Sequence, residues 1–306
     1  MKKNCLLIFI LIIFLFTGVA CNRGINKKDG YYVENKPLKI YTTFYPMYYI
    51  AGEISQEKAD IVQMIPAGVE PHTWEPTLKT MAELKGSNMF IYNGAGMERW
   101  AEKIIDNLRE NDIKIVETSK GVDLIRSEGN NHDDYDPHTW VSPVNLKIQA
   151  KNVLDALTEI DKTNEEYYKE NYRILAAKLD KLHEDIKEAS KHFKIKTIIT
   201  SHEAFGYFAK EYGLVQIPIR GMSPEQEPSP AKLAEIVHLC LENNIKYVFA
   251  EKFVNPKFSN IIADEIDGDV LTLNAAHGLS DDEISEGQDY ITIMYDNLNS
   301  LEKALK

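Results

Sequence analysis

The strongest constraint on the fold lies in the middle of the chain. Tyr168, Tyr172, Leu175, Leu179, Leu182, Ile186, Ala189 and Phe193 recur at alternating spacings of four and three, and the positions between them are mostly Lys, Glu and Asp. Apolar residues at that interval fall on one stripe of an α-helix. The pattern predicts a single amphipathic helix over 163–192, roughly 45 Å long at about 1.5 Å per residue. A coiled coil would show the same repeat, but this one stops after about four heptads. Short β-rich runs alternate with helical stretches on both sides. The helix is therefore expected to pack along both halves of one chain.

The β-rich runs fall into two groups of four. They occupy 38–42, 60–65, 89–92 and 113–116 before the helix, and 196–200, 215–219, 246–250 and 269–273 after it. Strand–helix alternation implies parallel sheets covered by helices. The expected architecture is α/β, with two similar lobes, 37–162 and 193–306. Each is a four-stranded parallel sheet flanked by helices, and the helix over 163–192 joins them. Ser142 and Pro143 make an N-cap and first-turn pair for a helix running to about Glu159.

The amino-terminal segment has a different character. Lys2 and Lys3 precede an apolar run over 6–16, then Thr17, Gly18, Val19 and Ala20 lead to Cys21. Residues 1–20 are expected to be a secretory signal peptide, too short to span a bilayer as a helix. Small residues ending at a cysteine resemble a bacterial lipobox, with Gly18 where such motifs usually carry Leu. A lipid on Cys21 and a flexible polar tether over 21–36 would hold the body at the extracytoplasmic face of the membrane. Cys5 falls in the signal. Cys240 sits among Val237, Leu239 and Leu241 and is expected in the core, with no partner for a disulfide. The net charge of −12 argues against nucleic acid as a partner and suits attraction of cations.

Chemistry enters through the eight histidines. His72 and His138 each lie in a Pro-His-Thr-Trp tetrapeptide, 66 positions apart. A preceding proline restricts the loop and so fixes where the ring points. Thr200 through Glu203 reads as a capping box, which would put His202 in the first turn of a helix after a strand. His277 follows the last strand run in a loop of small residues that should leave its ring accessible. Ligands in open α/β sheets bind beyond the carboxyl ends of strands. Any one of these rings would suit a structural role; the four together suit a metal. Imidazole nitrogen is a common zinc ligand, and four nitrogens, or three and a water, make a tetrahedral site. Neutral rings leave the charge of the ion uncompensated, so carboxylates behind them are sought among Glu75, Asp136, Glu203 and Glu251. His132, in an acidic loop, could collect cations weakly. His183 and His192 are expected to be solvated on the long helix, and His238 to be structural.

Several segments resemble the zinc/manganese solute-binding lipoproteins of ABC transporters. Residues 66–68 and 71–77, with His72, resemble the first metal loop of that family. Residues 136–143, with His138, resemble the second, and 201–208, with His202, the third. Residues 221–230 resemble a signature of the second lobe. The resemblance implies a rigid connecting helix, one metal in the cleft between the lobes, and a membrane permease as partner of a monomeric protein. It implies His72, His138 and His202 as ligands. His277 stands in the loop where the family usually carries Asp or Glu, so a solvent molecule or another side chain is an alternative there. Family members with His at the third position tend to bind zinc, and those with Glu manganese. Nitrogen donors favour zinc on physical grounds too, with manganese the alternative cargo. Two readings from other classes are a zinc-dependent hydrolase and a surface adhesin. Gly206 stands where H-E-x-x-H would need its second histidine, which argues against the hydrolase.

Overall fold

A strand that must pair in parallel with its successor has to cross the sheet, and a helix makes that crossing. The chain repeats this unit on each side of the long helix. The computed structural model describes residues 36–127 and 135–306. The proposed signal, tether and lipid site on Cys21 lie outside the described residues, as does His132. Strands β1 (Leu38–Thr42), β2 (Ala59–Gln63), β3 (Met89–Tyr92) and β4 (Lys114–Glu117) form one parallel sheet in the order β2-β1-β3-β4. Strands β5 (Thr197–Thr200), β6 (Val215–Pro218), β7 (Tyr247–Ala250) and β8 (Asp269–Thr272) form the second in the order β6-β5-β7-β8. The two orders are the same topology. Inner strand β3 is buried at every position, as a strand covered on both faces must be.

In the first lobe the helices are α1 (Tyr45–Ser55), α2 (Leu78–Leu84), α3 (Arg99–Glu102), α4 (Ile105–Glu110) and α5 (Pro143–Ile160). The expected cap of α5 forms: Ser142 Oγ accepts from the Asn145 N–H at 3.5 Å, and Pro143 opens the helix. The long helix α6 spans Glu165–Ser190, 26 residues, or about 39 Å. It is shorter than the 163–192 expected because Lys162–Asn164 form a 3-10 turn instead. Asp161 holds that turn, accepting from Asn164 Nδ2 at 2.7 Å and from the Tyr168 hydroxyl at 2.7 Å. Beyond it come α7 (Gly206–Tyr212), α8 (Pro230–Glu242), α9 (Lys257–Glu265), α10 (Asp281–Ser285) and α11 (Tyr290–Leu305).

Helix α6 packs on α1 and α5 from the first lobe and on α11 from the second. Its buried stripe includes Leu175, Leu179, Leu182 and Ile186. These belong to one continuous apolar core that also takes in Ile40 and Ile50 from the first lobe and Phe208, Ile293 and Leu301 from the second. Each lobe has a smaller core of its own, and Cys240 is buried in the second. A further brace crosses directly between lobes. The fully buried Trp140 donates from Nε1 to the Ala275 carbonyl at 2.7 Å, and the Tyr290 hydroxyl donates to the Trp140 carbonyl at 2.8 Å. Among the described residues no helix is long and apolar enough to cross a membrane.

Candidate metal centre

Four loops carry the histidines, all beyond the carboxyl ends of strands. After β2 the chain turns at Gly68, whose φ of 75° suits a residue without Cβ, and reaches His72. His138 precedes a single 3-10 turn, Thr139–Val141, that feeds the cap of α5. Its loop is tied down on several sides. Asn93 Nδ2 donates to the Pro137 carbonyl at 2.9 Å, while Thr139 Oγ1 and Gln149 Nε2 donate to Asn93 Oδ1 at 2.9 and 2.8 Å. From the other lobe the Tyr207 hydroxyl donates to the Asp136 carbonyl at 2.6 Å.

His202 follows β5, but the expected capping box is absent. Thr200 Oγ1 donates to the His202 carbonyl at 2.8 Å and accepts from Gln216 Nε2 at 2.7 Å, so it is not available as a cap. The Glu203 N–H bonds to the Gly221 carbonyl, and the helix starts only at Gly206. His202 therefore sits in a bend, wholly buried, rather than in a helical turn. His277 lies in the loop after β8. Ala276 there takes φ 56°, and its N–H donates to Asn274 Oδ1 at 2.8 Å. The small neighbours do not leave the ring open, for its side chain is 12% exposed.

These four loops bring the rings together. One nitrogen from each of His72, His138, His202 and His277 lies within 4.8 Å of all the others. His72 Nε2 and His138 Nε2 are 3.0 Å apart. Nε2 of His202 and of His277 are buried without a hydrogen-bond partner among the described residues. A tetrahedral zinc with bonds of about 2.0–2.1 Å sets its nitrogens roughly 3.4 Å apart. The cluster is thus close to closing on such an ion: nitrogens up to 4.8 Å apart would draw in by at most about 1.4 Å, and the His72–His138 pair would open by about 0.4 Å.

The other ring nitrogens face carboxylates. His138 Nδ1 donates to Asp136 Oδ1 at 2.8 Å, and the His138 N–H reaches the same oxygen at 2.9 Å. His202 Nδ1 donates to Glu251 Oε1, which also accepts from Ser201 Oγ at 2.7 Å. Glu251 Oε2 stands 3.7 Å from His277 Nδ1. A ring that donates from Nδ1 presents the lone pair of Nε2, so the carboxylates select the tautomer a metal needs. Asp136 and Glu251 are thus the carboxylates behind the rings. Glu75 departs from the expectation, being exposed on the loop past His72, and the Glu203 N–H bonds to the Gly221 carbonyl. Glu70, which the sequence did not single out, accepts from the His72 N–H at 3.1 Å.

Burial dominates the charge state of the rings. It pushes His72 down to about 2 and holds His138 and His277 well below the usual histidine range. Burial presses on His202 as well, but the Glu251 charge and hydrogen bond outweigh it and raise that ring above its ordinary value. Burial also raises Asp136 to about 7 and lifts Glu70. Of the remaining histidines, His183 is not solvated: its Nδ1 meets the Tyr212 hydroxyl at 3.2 Å. His238 is not structural, being 82% exposed. His192 is 68% exposed, as expected.

A family model described as the periplasmic component A of the zinc-uptake complex matches residues 40–304. The chain belongs to this zinc-uptake family. It is 36% identical over 309 residues to the high-affinity zinc uptake system protein ZnuA of Bacillus subtilis, covering 97% of each chain. The fold is similar to Zn(II)-bound AdcA from Streptococcus pneumoniae, with a TM-score of 0.80 and 31% identity over 88% of this chain and 58% of that one. It is also similar to Lmb of Streptococcus agalactiae, described as a bifunctional protein with adhesin and metal transporting activity. That match has a TM-score of 0.81 and 32% identity, over 89% of this chain and all of the other. The family is one of solute-binding components of zinc uptake, not of enzymes, and the hydrolase reading falls.

Proposed function

We propose that this chain captures a single zinc ion between its lobes through His72, His138, His202 and His277 and delivers it to the permease of an ABC transporter. The carrying observation is the convergence of four imidazoles on one point, two of them with buried, unpartnered Nε2 atoms. An all-nitrogen donor set favours zinc over manganese, which prefers oxygen ligands. Asp136 and Glu251 are engaged with Nδ1 atoms and so supply charge without supplying donor oxygens. A lipid on Cys21 would keep the loaded protein beside its permease.

Calorimetry on the metal-stripped full chain at neutral pH tests the reading. Tight one-to-one zinc binding and much weaker manganese binding are expected. Alanine at His138 or His202 should weaken zinc by more than the roughly 10–100-fold typical of residues behind the ligands. His277→Ala with unchanged affinity would place the fourth donor elsewhere. Absence of tight zinc binding to the unaltered protein would end the proposal.

A further inference from the structure

A cavity of about 460 Å³ opens against the histidine cluster, with His277, Glu251 and Arg220 among its lining residues. That volume lies in the roughly 300–1,000 Å³ range of small-molecule sites and far exceeds the need of a single ion. His138 and His202 are wholly buried, so His277 is the ligand ring this space reaches.

Arg220 is only 7% exposed. Its guanidinium carbon stands 4.9 Å from the centre of the Phe258 ring, and Nη2 donates to the Asn255 carbonyl at 3.2 Å. Its Nη1 is buried with no hydrogen-bond partner among the described residues. A guanidinium braced on a ring beside a cavity, with one edge held and the other without a partner, is arranged to receive a carboxylate. Glu70, Glu225, Glu227 and Glu251 line the same space with Lys252 and Lys257, so its charge is mixed. A free polyanion would be repelled there. A carboxylate whose charge is offset by a bound cation would be accepted.

We propose that this cavity docks a small carboxylate chelator still attached to its zinc ion, Arg220 holding the carboxylate while His277 takes the metal. This rests on the zinc reading above. In the exchange, one metal–oxygen bond breaks as a bond forms from His277 Nε2 to the metal. The carboxylate keeps its electron pair and its charge, and leaves from the guanidinium.

Stopped-flow tryptophan fluorescence on the metal-stripped full chain tests the idea, since the Trp140 ring lies 5.4 Å from those of His138 and His277. Zinc is offered as the aquo ion in one arm and as zinc citrate in the other. The unaltered protein should strip zinc citrate at a rate that rises with protein concentration. Arg220→Gln should slow that arm about ten-fold, the usual scale for losing a charge-assisted hydrogen bond, and Arg220→Lys less. Both should take the aquo ion as fast as the unaltered protein. A citrate arm limited by spontaneous dissociation of zinc citrate, independent of protein concentration, overturns the proposal without any variant. Equal slowing of both arms, or no slowing of the citrate arm, overturns it as well. Failure of the unaltered protein to take the aquo ion would instead strike the zinc reading itself.

Discussion

Replacing Glu251 by Gln keeps the shape of the side chain and removes its charge. The carboxylate is 6% exposed and serves two rings, with Oε1 on His202 Nδ1 and Oε2 3.7 Å from His277 Nδ1. An ion on the Nε2 atoms would lie roughly 6–7 Å from it, adding a metal–nitrogen bond of about 2 Å, the ring width and a hydrogen bond. At that distance a divalent ion and a carboxylate interact by about 5 kcal/mol at an effective dielectric of about 20, and about 1 kcal/mol in bulk water. Part of the larger figure is offset, because in the empty site the same carboxylate stabilises a proton on His202. Glutamine also retains a dipole toward the ring. The net expectation is a 10–100-fold loss of zinc affinity, or about 1.4–2.7 kcal/mol. Competition against a zinc chelator at neutral pH measures it, with Glu75→Gln as an exposed control expected to stay within about two-fold. If Glu251→Gln melts normally and binds zinc within about two-fold of the unaltered protein, the charge-compensation argument is wrong.

Other outcomes follow from the same geometry. Among the four rings only His202 is raised above its ordinary value, so it is the one that takes a proton most readily in metal-stripped protein, and Asp136, at about 7, can hold another. Zinc must displace them, so affinity falls as pH drops from above the ordinary histidine range through about 7, with about one to two protons released per ion. A slope of three or more in log affinity against pH would refute this, since His72, His138 and His277 are held neutral by burial. A Cβ at Gly206 would stand 2.6 Å from Asp136 Oδ2, so Gly206→Ala should displace that carboxylate and weaken zinc by about ten-fold. Normal affinity in chelator competition would show that Asp136 does not position His138. Trp140→Phe removes the bond to the Ala275 carbonyl and part of a buried ring, and should cost about 2–3 kcal/mol in denaturant unfolding; a loss under about 1 kcal/mol would mean the brace carries little. In hydrogen exchange of the metal-stripped protein, the segment around His72 should exchange faster than those around His138 and His202. Equal protection would contradict the ranking of loops.

The long helix was legible because a seven-residue alternation over many turns has one physical reading, and Leu175, Leu179, Leu182 and Ile186 are its buried face. The strands were legible from short β-branched runs, and all fall within two residues of the expected ends. The four rings that converge stood out through the repeated Pro-His-Thr-Trp and their place after strands. Residues whose role depends on distance across the fold did not stand out. Glu251 follows inner strand β7 directly and so meets His202, whereas Glu75 is next to the His72 loop in sequence yet points to solvent. The cap at Thr200 failed because its hydroxyl found closer partners in His202 and Gln216, a competition that local sequence does not reveal. His183 lies on the charged helix, but Tyr212, from an element 29 residues on, covers it. His238 is the exception, since the helical period already set it opposite Ile236 and Cys240, the buried face of α8.

The way the lobes are joined limits how the site can open. One apolar core runs from the first sheet through α6 into the second lobe, and Trp140 and Tyr290 tie the lobes together beside the rings. Swinging the lobes apart would expose that core, at about 25 cal/mol for each Å² of apolar surface. Moving a loop exposes little, so the four loops differ in what holds them. His138 sits in a buried network through Asn93, Thr139, Gln149 and Asp136. His202 is held by Thr200, Ser201 and Glu251, directly or through that carboxylate. His72 has the Glu70 contact to its N–H and a ring contact to His138, with half-exposed Val69 on its approach. The loop of His277 is held by Asn274, Asn297 and Trp140, so of the four rings His72 costs least to withdraw. If zinc is held as proposed, losing His72 would leave three histidines around the ion with one position open, and a receiving protein that displaced this loop would take the metal without prising the lobes apart.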